Sequence, residues 1–263
     1  MEIGVSTASL FKRYDTLNSL KVLRDMDARV VEIFLESFSE YDASFISSLG
    51  SELGELTVHS LHTVTTQFEP QMFSDIPLQK KDAYRFMENI CRGAKEIGAK
   101  NYTLHGRAKI KKNARFDDFP SYIKHFNDLT ELCGKYGVNV CLENVEWAFF
   151  GEPQFFARIK DSCPSLRTCF DLKQARLSGF RAEDYLSVMA GTINTVHLSD
   201  IDENGKMCLP TFGTVDFYRL FELLKNTGFD GNMLIEVYPN DYRDESEIAE
   251  SLYKLRKIKR EVF

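Results

Sequence analysis

The sequence predicts an α/β chain folded as one parallel (β/α)8 barrel over residues 1–263. Three observations carry this. The chain has 263 residues, close to the ~250 of a bare eight-fold barrel. Short apolar runs alternate with longer amphipathic runs from end to end. The apolar runs also finish on residues able to do chemistry. Length alone admits two domains of about 130 residues each. The sequence shows no low-complexity segment, Pro/Gly/Ser-rich linker or composition shift, which favours one domain.

Strands are predicted at 2–6, 30–35, 56–60, 101–105, 138–143, 166–171, 193–198 and 232–237. Amphipathic stretches lie between them, clearest at 80–97, 120–136, 214–226 and 245–260. In 214–226, Val215, Tyr218, Leu220, Phe221 and Leu224 fall at helical spacing. Gly98, Gly137 and Gly228 stand where a helix should end before a strand, the usual place for a glycine cap. Strands separated by helices imply parallel pairing through crossovers. No G-x-G-x-x-G follows the first strand, which argues against a dinucleotide site. Longer gaps at about 62–79, 106–117 and 199–213 are candidate active-site loops at the C-terminal face.

Composition narrows the partners. Hydrophobic residues make up 43% of the chain, as in an ordinary globular protein. The formal net charge is −6, from 33 basic and 39 acidic side chains. That balance does not favour nucleic acid. The run Lys109–Lys112, with Arg107 and Arg115, reads as a solvated loop. No apolar run approaches the ~20 residues of a membrane span. The start, Met1-Glu2-Ile3, lacks the basic and apolar regions of a signal peptide. Cys91, Cys133, Cys141, Cys163, Cys169 and Cys208 include no C-x-x-C pair and read as reduced thiols, so a cytoplasmic location is expected. Asn101-Tyr102-Thr103 matches a glycosylation sequon but falls inside a predicted buried strand.

The informative residues end the strands: His59, His105, Glu143, Asp171, His197 and Glu236. Side chains alternate faces along a strand. Val138, Val140 and Leu142 share one face of the fifth strand, and Asn139, Cys141 and Glu143 share the other. The branched apolar face should meet the helices, which aims Glu143 into the barrel mouth. The sixth and eighth strands repeat the pattern and aim Asp171 and Glu236 the same way. Three carboxylates gathered in an apolar barrel repel one another and resist burial. A divalent cation offsets both costs, and mixed imidazole and carboxylate donors suit Zn²⁺, Mn²⁺ or Fe²⁺ better than Ca²⁺.

The segments Leu142-Glu143-Asn144, Phe170-Asp171-Leu172, Val196-His197-Leu198-Ser199-Asp200 and Ile235-Glu236 resemble the strand motifs of the xylose-isomerase-like barrels. This superfamily holds sugar isomerases, ketose epimerases, inosose dehydratases and endonuclease IV. The resemblance implies that Glu143, Asp171, His197 and Glu236 bind one catalytic ion, Zn²⁺ or Mn²⁺. It implies that His59 and His105 touch substrate, or a further zinc as in the nuclease branch. Asp200 matches the aspartate of the family's His-x-x-Asp stretch and reads equally well as a loop cap. Two departures stand out. Gln174 replaces a histidine of the nuclease branch, and Lys206 to Gly213 lacks that branch's Asp-x-His pair.

Glu143 and Glu236 end strands three apart around an eight-membered ring, so they are also the candidate proton-transfer pair. Trp147 could stack on a sugar face, and Arg176 and Lys173 could hold a phosphate or carboxylate. His62 reads as too far past its strand to act, and His125 as structural. Cys141 and Cys169 read as barrel filling. The expected function is a metal-dependent isomerase or epimerase acting on a sugar, sugar phosphate or polyol. The alternatives are an inosose-type dehydratase, an endonuclease IV-like phosphodiester hydrolase, or a barrel that binds a small ligand without turnover. The expected partner is a small sugar-like molecule, with neither nucleic acid nor membrane; a homo-oligomer is left open.

Overall fold

A computed structural model describes residues 1–64, 67–109 and 118–263. The strands are β1 (Ile3–Ser6), β2 (Val30–Leu35), β3 (Thr57–Thr63), β4 (Asn101–Leu104), β5 (Asn139–Glu143), β6 (Arg167–Asp171), β7 (Ile193–Leu198), β8 (Asp200–Ile201), β9 (Met207–Cys208) and β10 (Asn232–Ile235). Strands β1 to β7 and β10 close into a parallel barrel, with β10 pairing both β7 and β1. Strands β8 and β9 form a small antiparallel hairpin after β7. The predicted barrel is therefore the observed one. Among the described residues no helix is long and apolar enough to cross a membrane. Of the basic stretch noted above, Lys111, Lys112 and Arg115 lie outside the described residues.

Helices cover the outside of the barrel, and their ends follow from local chemistry. The helix Pro77–Ile97 begins on a proline and ends at Gly98, whose φ of 80° places it in the left-handed region. Asp118, Asp216 and Asp244 cap the helices Phe119–Gly134, Phe217–Asn226 and Glu245–Val262 by accepting from backbone N–H groups. Outward-facing strand residues such as Val31, Ile33, Val140, Leu142, Phe170, Val196 and Ile235 join the helices in one continuous apolar core. Close approach of β1 and β2 demands Gly4. A Cβ there would lie 1.9 Å from the Val30 carbonyl oxygen.

The third strand differs from expectation. It was predicted over 56–60 and runs to Thr63. Val31 pairs with Val58 but Glu32 pairs with Ser60, so His59 is the extra residue of a bulge. The bulge resets the alternation. Leu61 joins the apolar core, whereas Ser60 and His62 turn into the barrel.

The barrel interior is polar where many barrels stack branched aliphatics. At its N-terminal end His59 is buried among Asn101, Asn232 and Thr195. Asn232 Nδ2 donates to His59 Nδ1 at 3.1 Å, so Nε2 carries the proton toward Thr195 Oγ1 at 2.9 Å. Asn139 and Asn194 both donate to Asn101 Oδ1 and tie β5 and β7 to β4. Burial lowers the His59 pKa from 6.5 to about 4.

That shift makes a signed prediction. The folded state holds His59 neutral, while the unfolded chain binds a proton below about pH 6.5. The contribution is fully present above the unfolded pKa and is lost as pH falls toward 4. Between about pH 7.5 and about pH 5 the loss is about 2 kcal/mol. Urea unfolding of wild type and His59→Gln at those two pH values should show the stability gap shifting by that amount in favour of the variant at low pH. A pH-independent gap would contradict the assignment.

Candidate metal centre at the barrel mouth

Four adjacent strand ends build the site. Glu143 closes β5, Asp171 closes β6, His197 lies in β7 and Glu236 follows β10. Each is buried at the C-terminal end of the barrel. His197 Nδ1 is the centre of the group. It lies 3.2 Å from Glu143 Oε1, 3.1 Å from Glu236 Oε2 and 3.7 Å from Asp171 Oδ2. One donor atom from each of the four residues falls within 4.8 Å of every other.

These contacts leave the site electrostatically unfinished. Burial raises the Glu143 pKa to about 7, against the pull of His197. Burial opposes charge on His197 too, but Glu236, Glu32 and Asp171 outweigh it and raise its pKa well above the ordinary value. Asp171 stays low despite its burial because Lys173 and His197 stand beside it. A single imidazole nitrogen cannot donate to three carboxylates at once. The buried Oε2 of Glu236 has no hydrogen-bond partner among the described residues. An orphaned carboxylate oxygen aimed at a nitrogen and two other carboxylates fits a cation, which all four donors could share. Cys169 groups with Glu143 and His197 as well. Burial raises its thiol pKa, which favours the protonated form over a thiolate ligand.

The support beneath the cluster comes from β2. Glu32 is fully buried and lies 3.1 Å from His197 Nε2. Ser6, Ser60 and Thr103 hydroxyls donate to its carboxylate at 3.0, 2.7 and 2.7 Å. Burial pushes the Glu32 pKa up, but His197 and these donors win and hold it well below the usual carboxylate range. Glu32 thus sets a fixed negative charge beneath Nε2, in a contact outside hydrogen-bond geometry, and Nδ1 faces the mouth. Asn144 performs a similar service for Asp171. Its side chain accepts from Asp171 N at 2.7 Å and donates to Asp171 O at 2.9 Å.

One side of the mouth is an aromatic wall. His62 stacks on His105 with centroids 4.4 Å apart, and His105 stacks on Trp147 at 5.6 Å. Phe34 meets His62 edge-on, and Phe11 meets Phe34. Glu69, fully buried at the start of the short helix Glu69–Met72 after β3, lies 3.1 Å from His105 Nδ1 and accepts from His105 N at 3.2 Å. Burial raises the Glu69 pKa to about 7 and lowers that of His105 to about 4. His62 Nδ1 donates to the Thr103 carbonyl at 3.0 Å. Both rings thus keep Nε2 free, and His105 Nε2 lies 3.9 Å from Glu143 Oε2. The cavity over the cluster, open to solvent on one side, is about 280 Å³ and is also lined by Ala8, Lys173, Gln174 and Tyr238. It sits near the lower end of the ~300–1,000 Å³ range of ligand pockets, which suits a small ligand.

The structure brings together Glu143, Asp171, His197 and Glu236, with His105 and Trp147 beside them. It does not bring His59 there. Because β3 runs on to Thr63, His59 lies near the opposite end of the barrel, and the bulge turns His62 rather than Leu61 into the mouth. Arg176 is also elsewhere. It is exposed and lines a neighbouring cavity with Phe180 and Arg181, not the one over the cluster. Asp200 is a loop anchor, because its two oxygens accept from the backbone of Ile201, Thr211, Gly213 and Val215. Gln174 Oε1 accepts from Glu146 N. Sequence reasoning missed Glu32, His62 and Glu69. The alternation of β2 could have found Glu32, a lone acid between Val31 and Ile33. No local signal marks the bulge or the fold-back of Glu69.

The chain is thus a (β/α)8 protein whose C-terminal mouth gathers carboxylates and imidazoles that could hold a metal ion. The profile of the xylose isomerase-like TIM barrels matches residues 20–258, and the chain belongs to that family. No curated protein matches it in sequence. Solved structures share its fold. The IolI protein, described with a bound zinc, superposes with a TM-score of 0.80 at 14% identity, over 100% of this chain and 99% of the other. D-Psicose 3-epimerase from Clostridium cellulolyticum H10 gives 0.78 at 14% identity, with the same coverage. The 3-keto-D-glucoside 4-epimerase of E. coli gives 0.73 at 17% identity, over 98% and 99%.

The Glu32–His197 contact yields a prediction. Glu32→Gln should weaken zinc binding by about 10–100-fold, measured by competition with a chelator, with the far-ultraviolet spectrum unchanged. An unaltered affinity would show that Glu32 does not support the ring.

Proposed function

We propose that the chain is a metal-dependent enzyme that isomerises or epimerises a sugar, sugar phosphate or polyol by moving a proton. The observation that carries this reading is the placement of Glu143 and Glu236. Both carboxylates approach His197 Nδ1 from different strands, and both line the cavity above it. Glu143, Asp171, His197 and Glu236 would hold one Zn²⁺ or Mn²⁺. When bound, the ion would polarise a substrate carbonyl and hydroxyl and so acidify the neighbouring C–H. Several barrels of the same fold are sugar epimerases by name, and one is described with zinc, which supports the reading.

The chain's own groups divide the remaining work. Glu143 takes the proton from carbon, and Glu236 delivers one from its side of the cavity. Transfer to the opposite face of the same carbon is epimerisation; return one carbon along is isomerisation. His62 and His105 accept hydrogen bonds from substrate hydroxyls through their free Nε2 atoms. Trp147 and Phe34 offer apolar faces to the carbon skeleton.

The test is a screen of ketoses, aldoses and inososes in D2O with metal-loaded protein. The reading predicts solvent deuterium at the reacting carbon, and a loss of about 10²–10⁴-fold in exchange for Glu143→Gln. Retention of the original hydrogen through many turnovers, with Glu143→Gln fully active, would contradict it. Loss of water from an inosose would instead identify a dehydratase. A second expectation concerns the nuclease branch. Gln174 is engaged with Glu146 N, and Met207 and Cys208 lie in the β8–β9 hairpin. Neither supplies the further ligands of a three-metal site, so a duplex with an abasic site should remain uncut. Cleavage that copurifies with the protein and disappears in Glu143→Ala would overturn that.

A further inference from the structure

One cationic side chain in the mouth helps hold Asp171 ionised but keeps its own hydrogen-bond donors unused. Lys173 follows Asp171 by two residues, at the start of the helix Leu172–Leu177. Its side chain is buried, with 3% of the residue exposed, and it lines the cavity together with Glu143 and Glu236. Among the described residues no carboxylate, carbonyl or hydroxyl hydrogen-bonds its ammonium. Its Nζ instead rests 4.3 Å from the ring centroid of Tyr238. An aromatic face stabilises such a cation by only ~0.5–2 kcal/mol and leaves its N–H donors unused. Asp171, Glu236 and Glu143 favour its charge without ion-pair contact, and its unused donors open on the cavity, where they can meet whatever enters.

We propose that Lys173 is a substrate-contacting residue whose ammonium binds an anionic oxygen of the ligand held over the carboxylate cluster. This rests on the isomerase reading and narrows its substrate. The side of the mouth formed by Glu143 and Glu236 repels any anion by itself. Lys173 is the one cationic side chain lining this cavity among the described residues, apart from the titratable imidazoles. Its partner is an oxygen that bears charge at the reacting end of the molecule. That charge is either a carboxylate already on the sugar, or it develops as the proton leaves carbon and an enediolate forms. In both cases a charge-assisted hydrogen bond forms, worth about tenfold or more in affinity. Arg176 is exposed and lines only the neighbouring cavity, whereas Lys173 borders both.

The test uses calorimetric titration with three probes: oxalate as a planar dianion resembling an enediolate, xylonate as a sugar acid and xylitol as a neutral control. Wild type, Lys173→Met and Lys173→Arg are compared after zinc loading, with zinc per chain measured on each. The expected result is oxalate binding weakened about tenfold or more in Lys173→Met and largely restored in Lys173→Arg, with zinc content and xylitol affinity unchanged. Xylonate that binds more tightly than xylitol, and loses that advantage in Lys173→Met, assigns the charge to a permanent carboxylate. Xylonate no better than xylitol assigns it to the enediolate. Oxalate that does not bind wild type, or binds Lys173→Met as tightly, overturns the proposal, as does parallel loss of oxalate, xylitol and zinc. Wild type that takes up no zinc contradicts the metal reading alone. Oxalate titration of that metal-free protein then decides the role of Lys173 by the same comparison.

Discussion

His197 Nδ1 faces three carboxylates within 3.7 Å, and the rest of the barrel is arranged around that crowding. Buried carboxylates repel one another and lose solvation, and one imidazole relieves only part of this. The pKa directions express the conflict. Burial lifts Glu143 to about 7, while Asp171 is held low by Lys173 and His197. Among the described residues, Glu236 keeps an oxygen with no hydrogen-bond donor. A shared divalent cation would resolve all three features at once, since it attracts each carboxylate and asks no donor of them.

The architecture makes such a cluster tolerable. Parallel closure brings β5, β6, β7 and β10 to one rim, so residues distant in sequence meet at their C-terminal ends. Beneath the rim, hydroxyls from β1, β3 and β4 converge on Glu32, which in turn faces His197. Lower still, His59 and the asparagines fill the barrel with paired polar groups. Apolar packing is therefore left mainly to the outer faces of the strands and their helices. The site borrows its rigidity from that shell.

Much of this could be read from the chain. Alternation in Val138 to Glu143 told which face of β5 turns inward, and Gly98 marked a helix end through its left-handed backbone. The four central site residues were legible because each closes a short apolar run. What escaped were effects that no local pattern encodes. β3 runs three residues past its expected end, which leaves His59 near the barrel floor, and the bulge at His59 shifts the phase by one residue so that His62 faces the mouth. Glu69 was invisible because its partners, Tyr102 and His105, come from another strand. Arg176 had the right chemistry and lies only five residues from Asp171, yet it serves a different cavity.

The central claim is that the cluster around His197 is built for one divalent ion. Metal analysis of protein dialysed against zinc and then against metal-free buffer addresses it directly. Wild type should retain about one zinc per chain, and Asp171→Ala should retain almost none while giving the same far-ultraviolet spectrum. Wild type without zinc or manganese, or Asp171→Ala with full occupancy, would contradict the account.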